Sequence, residues 1–220
     1  MTTVALLYHN TADRITFRNH VDVIAKTNPG VLLTFDDAGL NAYSYIADEL
    51  EAHDLRGYFF IRADRISEDG FLQSSHICDL RRRGHIIGGH LYVKPSRISR
   101  STLGDVIHEF SHTCSVLHDI LGERIVATSV PGSHYASKLA RAAAIASIET
   151  VFTAEPTLEA NSVEGCTLQG RFTIELRTSV STAAALARGA FLPRLNQSIC
   201  WNLKRYLELT ALVQQLHRHG

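Results

Sequence analysis

Val31-Leu32-Leu33-Thr34-Phe35-Asp36-Asp37 is the stretch that decides the fold, because an apolar run ends there abruptly in two adjacent carboxylates. Such a run is typical of a parallel strand that is buried on both faces. Carboxylates at the end of a buried strand suit either metal ligation or general-base catalysis, since loops at strand ends present chemical groups. The alternative is an Asx turn in which the Asp pair caps the following helix.

Short apolar runs and helical patterns alternate along most of the chain, which is typical of an α/β fold with parallel strands. The runs predict seven strands, over residues 4–8, 31–35, 58–61, 85–88, 125–130, 150–154 and 172–176. Apolar periodicity predicts helices over residues 41–53, 72–83, 101–121, 135–147 and 199–218, and residues 155–170 are predicted to form a long loop. We expect one domain over residues 1–220, ending in the helix at 199–218.

The composition limits the partners that this chain can bind. Its 22 Lys and Arg residues balance its 22 Asp and Glu residues, so no net charge attracts nucleic acid or an anionic membrane. The apolar stretch at residues 4–7 is too short for a signal peptide or a membrane span. We therefore expect a cytoplasmic protein with a small or neutral partner, no nucleic acid and no membrane span.

In parallel sheets and barrels, active sites lie at the carboxyl ends of the strands. Polar residues follow five of the predicted strands at that edge: His9, Asp36, Asp37, Arg62, Asp64, His90 and residues 131–134. The sequence therefore predicts one functional rim to which five separate segments contribute.

Three of these segments resemble the successive motifs of the polysaccharide deacetylases, the family that includes chitin deacetylases. They are Thr34-Phe35-Asp36-Asp37, Gly84-His85-Ile86-Ile87-Gly88-Gly89-His90 and Ser129-Val130-Pro131-Gly132. The connecting segments at residues 45–48, 57–61 and 151–156 resemble those of a bacterial branch that makes or tailors envelope polysaccharides. The resemblance covers about residues 4–187. It implies an α/β fold with a distorted (β/α) barrel of fewer than eight strands, in agreement with about seven parallel strands.

The resemblance also implies an activity and a role for individual residues. Members of this family hydrolyse N-acetyl groups from sugars or polysaccharides, with the first Asp of the pair as the base that activates water. That role falls to Asp36. The second Asp and two His of a His-x-x-x-His motif hold a divalent metal, usually zinc. The corresponding positions are Asp37, His90 and Lys94.

Two more functions are assigned to residues near these motifs. His134 is the candidate general acid, because no Leu-His pair ends a late strand as it does in the family. The candidate substrate-binding residues are His9, Pro131, Gly132 and Ser133. Capping by His9 and simple solvation of His134 are the alternatives.

Lys94 is the main departure from the family pattern, and Ala38 and Gly89 are two smaller ones. A lysine must lose a proton to bind metal, which costs about 4.6 kcal/mol at pH 7 from an ordinary pKa near 10.4. The metal site is then weak or absent unless His9, His134 or the substrate supplies a third ligand. Alternatively, the Lys94 ammonium occupies the metal position beside Asp37, or the side chain lies in a solvated basic loop.

Two functional hypotheses remain. The first is a zinc-dependent hydrolase that acts on an N-acetylated sugar or polysaccharide. The second is a catalytically impaired deacetylase-like protein that binds carbohydrate or a protein partner, its metal site lost through Lys94. A homo-oligomer is compatible with either hypothesis, and metal binding separates them.

Overall fold

The computed structural model describes residues 3–8, 13–91, 101–131 and 136–217, which form nine strands and seven α-helices. The strands are β1 Ala5–Tyr8, β2 Leu32–Phe35, β3 Gly57–Ile61, β4 Ile86–His90, β5 Ala127–Ser129, β6 Thr150–Phe152, β7 Ala160–Val163, β8 Cys166–Gln169 and β9 Phe172–Ile174. The helices are α1 Arg14–Thr27, α2 Ala47–Glu51, α3 Ser74–Arg82, α4 Leu103–Leu121, α5 Ala136–Ile145, α6 Val180–Ala187 and α7 Phe191–His217. A π-helical turn, Ala42–Ile46, precedes α2.

The strands form one sheet in the order β7-β8-β6-β5-β4-β3-β2-β1-β9, and every neighbouring pair except β7 and β8 is parallel. Only Gly170 and Arg171 separate β8 from β9, although β9 lies at the far end of the sheet. Three residue steps span at most about 11 Å, so the sheet curls until its two ends meet. This confirms the predicted distorted (β/α) barrel, and all seven predicted strands are present. The expected number of strands, fewer than eight, is wrong, because β7 and β8 bring the sheet to nine.

Side chains of β2 alternate between the two faces of the sheet, as a strand requires. Leu33 and Phe35 pack in the apolar cluster that the sheet forms with α1. Thr34 and Asp36 face the barrel interior, where both bind the buried Arg171. The alternation therefore points Asp36 into the mouth of the barrel.

The predicted long loop over residues 155–170 is wrong, because most of it is the β7–β8 hairpin. Glu164 and Gly165 form its turn with φ of 51° and 86°, as the turns that favour two-residue hairpins require. Residues 160–162 are exposed and carry no apolar alternation, which is why the sequence pattern did not indicate a strand there.

Three helices differ from the sequence prediction, since neither α1 nor α6 was predicted and α7 begins earlier than expected. Helix α1 was not predicted; the Asp13 carboxylate caps it by accepting hydrogen bonds from the Ile15 and Thr16 amides. Helix α7 begins at Phe191 rather than at residue 199, and Pro193 lies in its first turn, where a missing amide is tolerated. Within the described part of the chain, no helix combines the length and the apolar character that crossing a membrane requires.

Helix α7 lies along β9, the strand at one end of the sheet order. The Gln197 side chain donates to the Thr173 carbonyl at 2.7 Å and accepts from the Thr173 amide at 2.9 Å. The Ser198 hydroxyl donates to the Pro156 carbonyl. Gln197 thus pairs with the amide and carbonyl of Thr173, which a neighbouring strand would otherwise satisfy. Helix α7 therefore covers the β9 edge of the sheet.

His85, at the amino end of β4, is predicted to have a structural role, and the contacts confirm it. The Gly57 amide donates to Nδ1 at 3.1 Å, and Nε2 lies 2.9 Å from a Glu51 carboxylate oxygen. Burial lowers the pKa of His85 below its ordinary value of 6.5. The unfolded chain therefore takes up a proton more readily than the folded protein.

We expect the free energy of unfolding to fall as the pH drops below about 6.5, because protonation of His85 is favoured only in the unfolded chain. A urea titration at pH 7.5 and pH 5.5 measures this loss. His85→Gln is the matched control, since it removes the titrating group, and its loss over the same interval should be smaller. Equal losses in the two proteins would contradict this account.

Candidate functional site

Asp36 follows β2 and is held by a buried ion pair with Arg171. Arg171 Nη1 donates to Asp36 Oδ1 at 2.6 Å, and Nη2 donates to Oδ2 at 2.8 Å. The Asp36 side chain is 2% exposed and the Arg171 side chain is 0% exposed. Two parallel charge-assisted bonds fix the plane of the carboxylate.

The Arg171 guanidinium is itself fixed by several further contacts. Its Nε donates to the Thr153 carbonyl at 3.0 Å, and Nη1 also donates to the Thr34 hydroxyl at 3.2 Å. The rings of Phe60 and Phe152 flank it, with centroids 5.7 and 6.0 Å from the guanidinium carbon. Asp36 therefore has one orientation, set by residues of three strands, β2, β3 and β6, and by the β8–β9 junction.

Gly170 allows Arg171 to reach this position. A Cβ at residue 170 would lie 2.5 Å from the Glu155 carbonyl oxygen and 2.5 Å from Thr157 Cγ2. Any side chain there would push the β8–β9 junction away from the chain that follows β6. The glycine thus permits the close approach that places a guanidinium inside the barrel.

Asp37 has the geometry of a residue held for a ligand. Its φ of 49° is left-handed, a conformation that Asp tolerates better than most residues. Its Oδ1 atom is buried, and no hydrogen-bond donor among the described residues reaches it. That atom lies 3.7 Å from His90 Nε2 and 4.0 Å from Arg62 Nε.

His90 ends β4 and is 4% exposed. Its Nδ1 lies 2.6 Å from Ser129 Oγ, which can accept the Nδ1 proton and leave the Nε2 lone pair facing Asp37. Two glycines bring β4 close to its neighbours: a Cβ on Gly88 would meet the Ala127 carbonyl at 2.6 Å, and one on Gly89 would meet Thr113 Cγ2 at 2.7 Å. Gly89 is thus required by packing at this position.

The arrangement of Asp37 and His90 fits two ligands of one metal ion. Ligand atoms about 2.0–2.2 Å from a tetrahedral zinc ion lie roughly 3.3–3.6 Å apart, close to the observed 3.7 Å. The hydrogen bond between His90 and Ser129 is the type of contact that orients metal-binding histidines. Within the described residues, no group of three His, Cys, Asp or Glu side chains could hold a metal ion. A complete site therefore needs a donor from elsewhere.

A cleft of about 450 Å³ opens beside the two Asp residues. The loop that follows Asp37 forms one wall, and Arg62 and Phe71 form another. Arg62 is held by Asp64, with donor–acceptor distances of 3.1 and 2.6 Å. The volume lies within the range of about 300–1,000 Å³ that is usual for sites of small organic ligands.

The structure brings Asp36, Asp37 and His90 to one edge of the sheet. Pro131 lies at the same edge, two residues beyond β5. The other predicted site residues fall outside the described residues: His9, Lys94, Gly132, Ser133 and His134. The Asx-turn alternative is wrong, because Gly39, not an Asp, precedes the first helical residue, Leu40, and the Asp36 carboxylate binds Arg171 instead.

Sequence reasoning missed Arg171 and the part played by Ser129. Arg171 stands between Gly170 and an apolar strand, and a charge next to a buried run is a signal that a buried partner exists. The identity of that partner could not be inferred, since Asp36 is 135 positions away.

Comparisons with known proteins agree with this fold. The family model described as polysaccharide deacetylase matches residues 24–151. No curated protein matches the chain. Among solved structures, IcaB from Ammonifex degensii is 19% identical with a TM-score of 0.67, over 85% of this chain and 97% of that one. The Streptococcus pyogenes deacetylase PplD in complex with acetate is 14% identical with a TM-score of 0.65, over 82% and 95%.

A de-N-acetylase from Aggregatibacter actinomycetemcomitans is also similar, with 14% identity and a TM-score of 0.65 over 84% of this chain and 99% of that one. At these identities, the likeness to solved structures shows a shared fold.

Proposed function

Since the chain belongs to the polysaccharide deacetylase family, we propose that it hydrolyses N-acetyl groups on a sugar or polysaccharide. The observation that carries the proposal is the convergence of Asp36, Asp37 and His90 beside an open cleft. These are the residue types that hydrolysis of an unactivated amide needs: one fixed carboxylate and two donors for a divalent metal.

Asp36 is the proposed general base. In the reaction, the water oxygen bonds to the acetyl carbon and the amide C–N bond breaks, giving acetate and a free sugar amine. Asp36 accepts the proton that water loses. Arg171 binds one lone pair of each carboxylate oxygen, and each oxygen has a second lone pair that is able to accept a proton. Fixed orientation removes an entropic cost from proton transfer.

Asp37 and His90 are the proposed metal ligands. A divalent metal bound there, with zinc as the candidate, would act as a Lewis acid on the acetamide and lower the pKa of water. Asp37 Oδ1, to which no described residue donates a hydrogen bond, and His90 Nε2 supply two donors, and Ser129 holds the His90 ring. The third donor to the metal is proposed to come from one of three sources: His9, His134 or the substrate. With His9 or the substrate as the third donor, His134 is the proposed acid that protonates the leaving amine.

Acetate release tests the proposal. Purified protein is stripped of metal, reloaded with zinc and incubated with N-acetylglucosamine oligomers and with an N-acetylated polysaccharide. The proposal predicts acetate release that depends on added zinc. Bound zinc with no acetate from any of these N-acetylated substrates would contradict the enzymatic proposal, and absence of both zinc binding and acetate release would favour the second function.

The second candidate function is carbohydrate or protein binding without turnover. It is favoured by Lys94, which stands where the family has a metal-binding His, and by the presence of only two suitable donors among the described residues. In that case, the Lys94 ammonium would pair with Asp37 in place of a metal.

Lys94→His distinguishes these roles of residue 94. We expect the variant to bind zinc at least tenfold more tightly than the natural protein, because a neutral imidazole is a ligand at pH 7 and an ammonium is not. Isothermal titration calorimetry measures the affinity. Arg97→His is the matched control in the same segment and should leave the affinity unchanged. An equal affinity for Lys94→His and the natural protein would show that residue 94 does not contact the metal.

A further inference from the structure

Helix α7 carries a large apolar surface. Seven of the twelve large apolar side chains that are exposed within the described part of the chain belong to this helix. Six of the seven are 41–75% exposed and lie between residues 191 and 206: Phe191, Leu192, Leu195, Ile199, Leu203 and Tyr206. We call these six residues the α7 face. None of them lines the catalytic cleft.

The α7 face lies on the side of the helix that points away from the barrel. At about 100° per residue, its six members fall within an arc of roughly 120°. The opposite side is fixed to the barrel, because Gln197 makes two hydrogen bonds to the Thr173 backbone and Trp201 lies against Pro156 and Thr173. Helix α7 is therefore held by one side and presents its apolar side outward.

The α7 face carries no charged residue. Arg194, Lys204 and Arg205 project from other sides of the helix, and Asn202 is the one polar residue within the arc. The Asn202 amide donates to the Ser198 carbonyl one turn earlier in the same helix. Interface centres are depleted of charge in the same way, whereas an exposed helix face of a monomer is usually charged.

The exposed apolar area is large enough for a dimer interface. A fully exposed aromatic side chain presents about 150–250 Å² and a Leu or Ile somewhat less, so the exposed fractions correspond to roughly 600 Å² per protomer. An interface of standard size buries about 800 Å² on each partner, of which about 65% is apolar in homodimers, or about 520 Å². Two α7 faces packed together therefore supply the apolar area that a stable dimer needs.

The spacing of the α7 face is the same in both directions from its centre. Leu195 and Leu203 stand four residues before and after Ile199. Leu192 and Tyr206 stand seven residues before and after it. If two antiparallel helices are related by a two-fold axis through Ile199, that residue meets its own copy and Leu195 meets Leu203 of the second copy. A two-fold interface requires such a self-complementary surface.

We propose that the α7 face binds a second copy of this chain and forms a two-fold dimer with two antiparallel α7 helices at its centre. The two barrels then lie on opposite sides of the helix pair. Both catalytic clefts stay open, since the α7 face does not line them. This inference goes beyond the proposed function and does not depend on it.

Sedimentation velocity at protein concentrations up to about 100 µM measures the dimer Kd. The natural protein should reach twice the 24.4 kDa mass of the chain. Ile199→Glu places two carboxylates together at the two-fold axis and should raise the Kd by a factor of at least about 100. Ile15→Glu is the matched control: Ile15 is 71% exposed on α1, so the same substitution there should leave the Kd unchanged.

A pair of opposite charges tests the antiparallel arrangement. Leu195→Lys alone and Leu203→Glu alone should each weaken the dimer, because each new charge faces a leucine of the second copy. The double variant should dimerise more tightly than either single variant, since each new ammonium then faces a new carboxylate. A double variant that dimerises no better than the single variants would contradict the antiparallel pairing and overturn the proposal.

Two further results would overturn the proposal. Natural protein that stays monomeric over the whole concentration range has no such dimer; binding of that monomer to phosphatidylcholine vesicles, lost in Ile199→Glu, would assign the α7 face to a lipid surface instead. A dimer that Ile199→Glu leaves intact would place the interface elsewhere. Circular dichroism establishes that each variant is folded, and the charge-pair variants carry the test if Ile199→Glu does not fold. Acetate release is measured separately, so failure of the dimer and failure of the proposed function are distinguishable.

Discussion

Asp36→Asn is expected to lower the rate of acetate release by a factor of about 10²–10⁴, the usual contribution of a general base. An asparagine amide is nearly the same size as the carboxylate but cannot take a proton from water at neutral pH. Zinc binding should persist, because Asp37 and His90 are unchanged. Acetate release by zinc-loaded protein and calorimetric zinc titration measure the two properties.

The control for this substitution is Asp64→Asn, which changes a carboxylate that is 65% exposed in its pair with Arg62. It should retain most of the activity. Circular dichroism establishes that each variant is folded before its rate is compared. Undiminished acetate release by folded Asp36→Asn would rule out Asp36 as the base.

Arg171→Met is expected to destabilise the protein by about 3–5 kcal/mol, the range seen when one partner of a buried ion pair is removed. The methionine approximates the volume of the arginine stem but leaves the Asp36 carboxylate buried without its guanidinium partner. Urea unfolding measures the loss. Arg82→Met is the exposed control: Arg82 is 79% exposed in its pair with Asp79, so its replacement should have little effect.

The double variant, Asp36→Asn with Arg171→Met, separates the ion pair from general packing. Because it removes both charges, we expect it to be more stable than Arg171→Met alone. If the losses in free energy of unfolding from the two substitutions were strictly additive, this would contradict the claim that the two buried charges stabilise each other.

The parts of the site that sequence could predict are those encoded in short segments. An apolar run that ends in Asp36 and Asp37 specifies a buried strand with carboxylates at its end, and the structure places them there. Likewise, His90 lies at the end of a predicted strand and reaches the same edge. Parallel topology then brings separate strand ends together, so convergence follows from the fold class.

The ion pair between Asp36 and Arg171 could not be predicted in the same way. It depends on how the sheet curls, because Arg171 belongs to a junction that joins one end of the sheet to the other. Strands β7 and β8 were missed for a different reason: the exposed residues of β7 show no apolar alternation, and its pairing with β8 determines the conformation of the hairpin. Both features depend on tertiary contacts that a local pattern does not contain.

The most direct test of the central claim, that Asp37 and His90 hold a metal for deacetylation, is a calorimetric zinc titration of metal-stripped protein at neutral pH. Asp37→Asn serves as the control, because asparagine tolerates the left-handed backbone at this position but lacks the charge. We predict one-to-one zinc binding by the natural protein and its loss in the variant. Absence of zinc binding by the natural protein, or equal binding by both proteins, would contradict the claim.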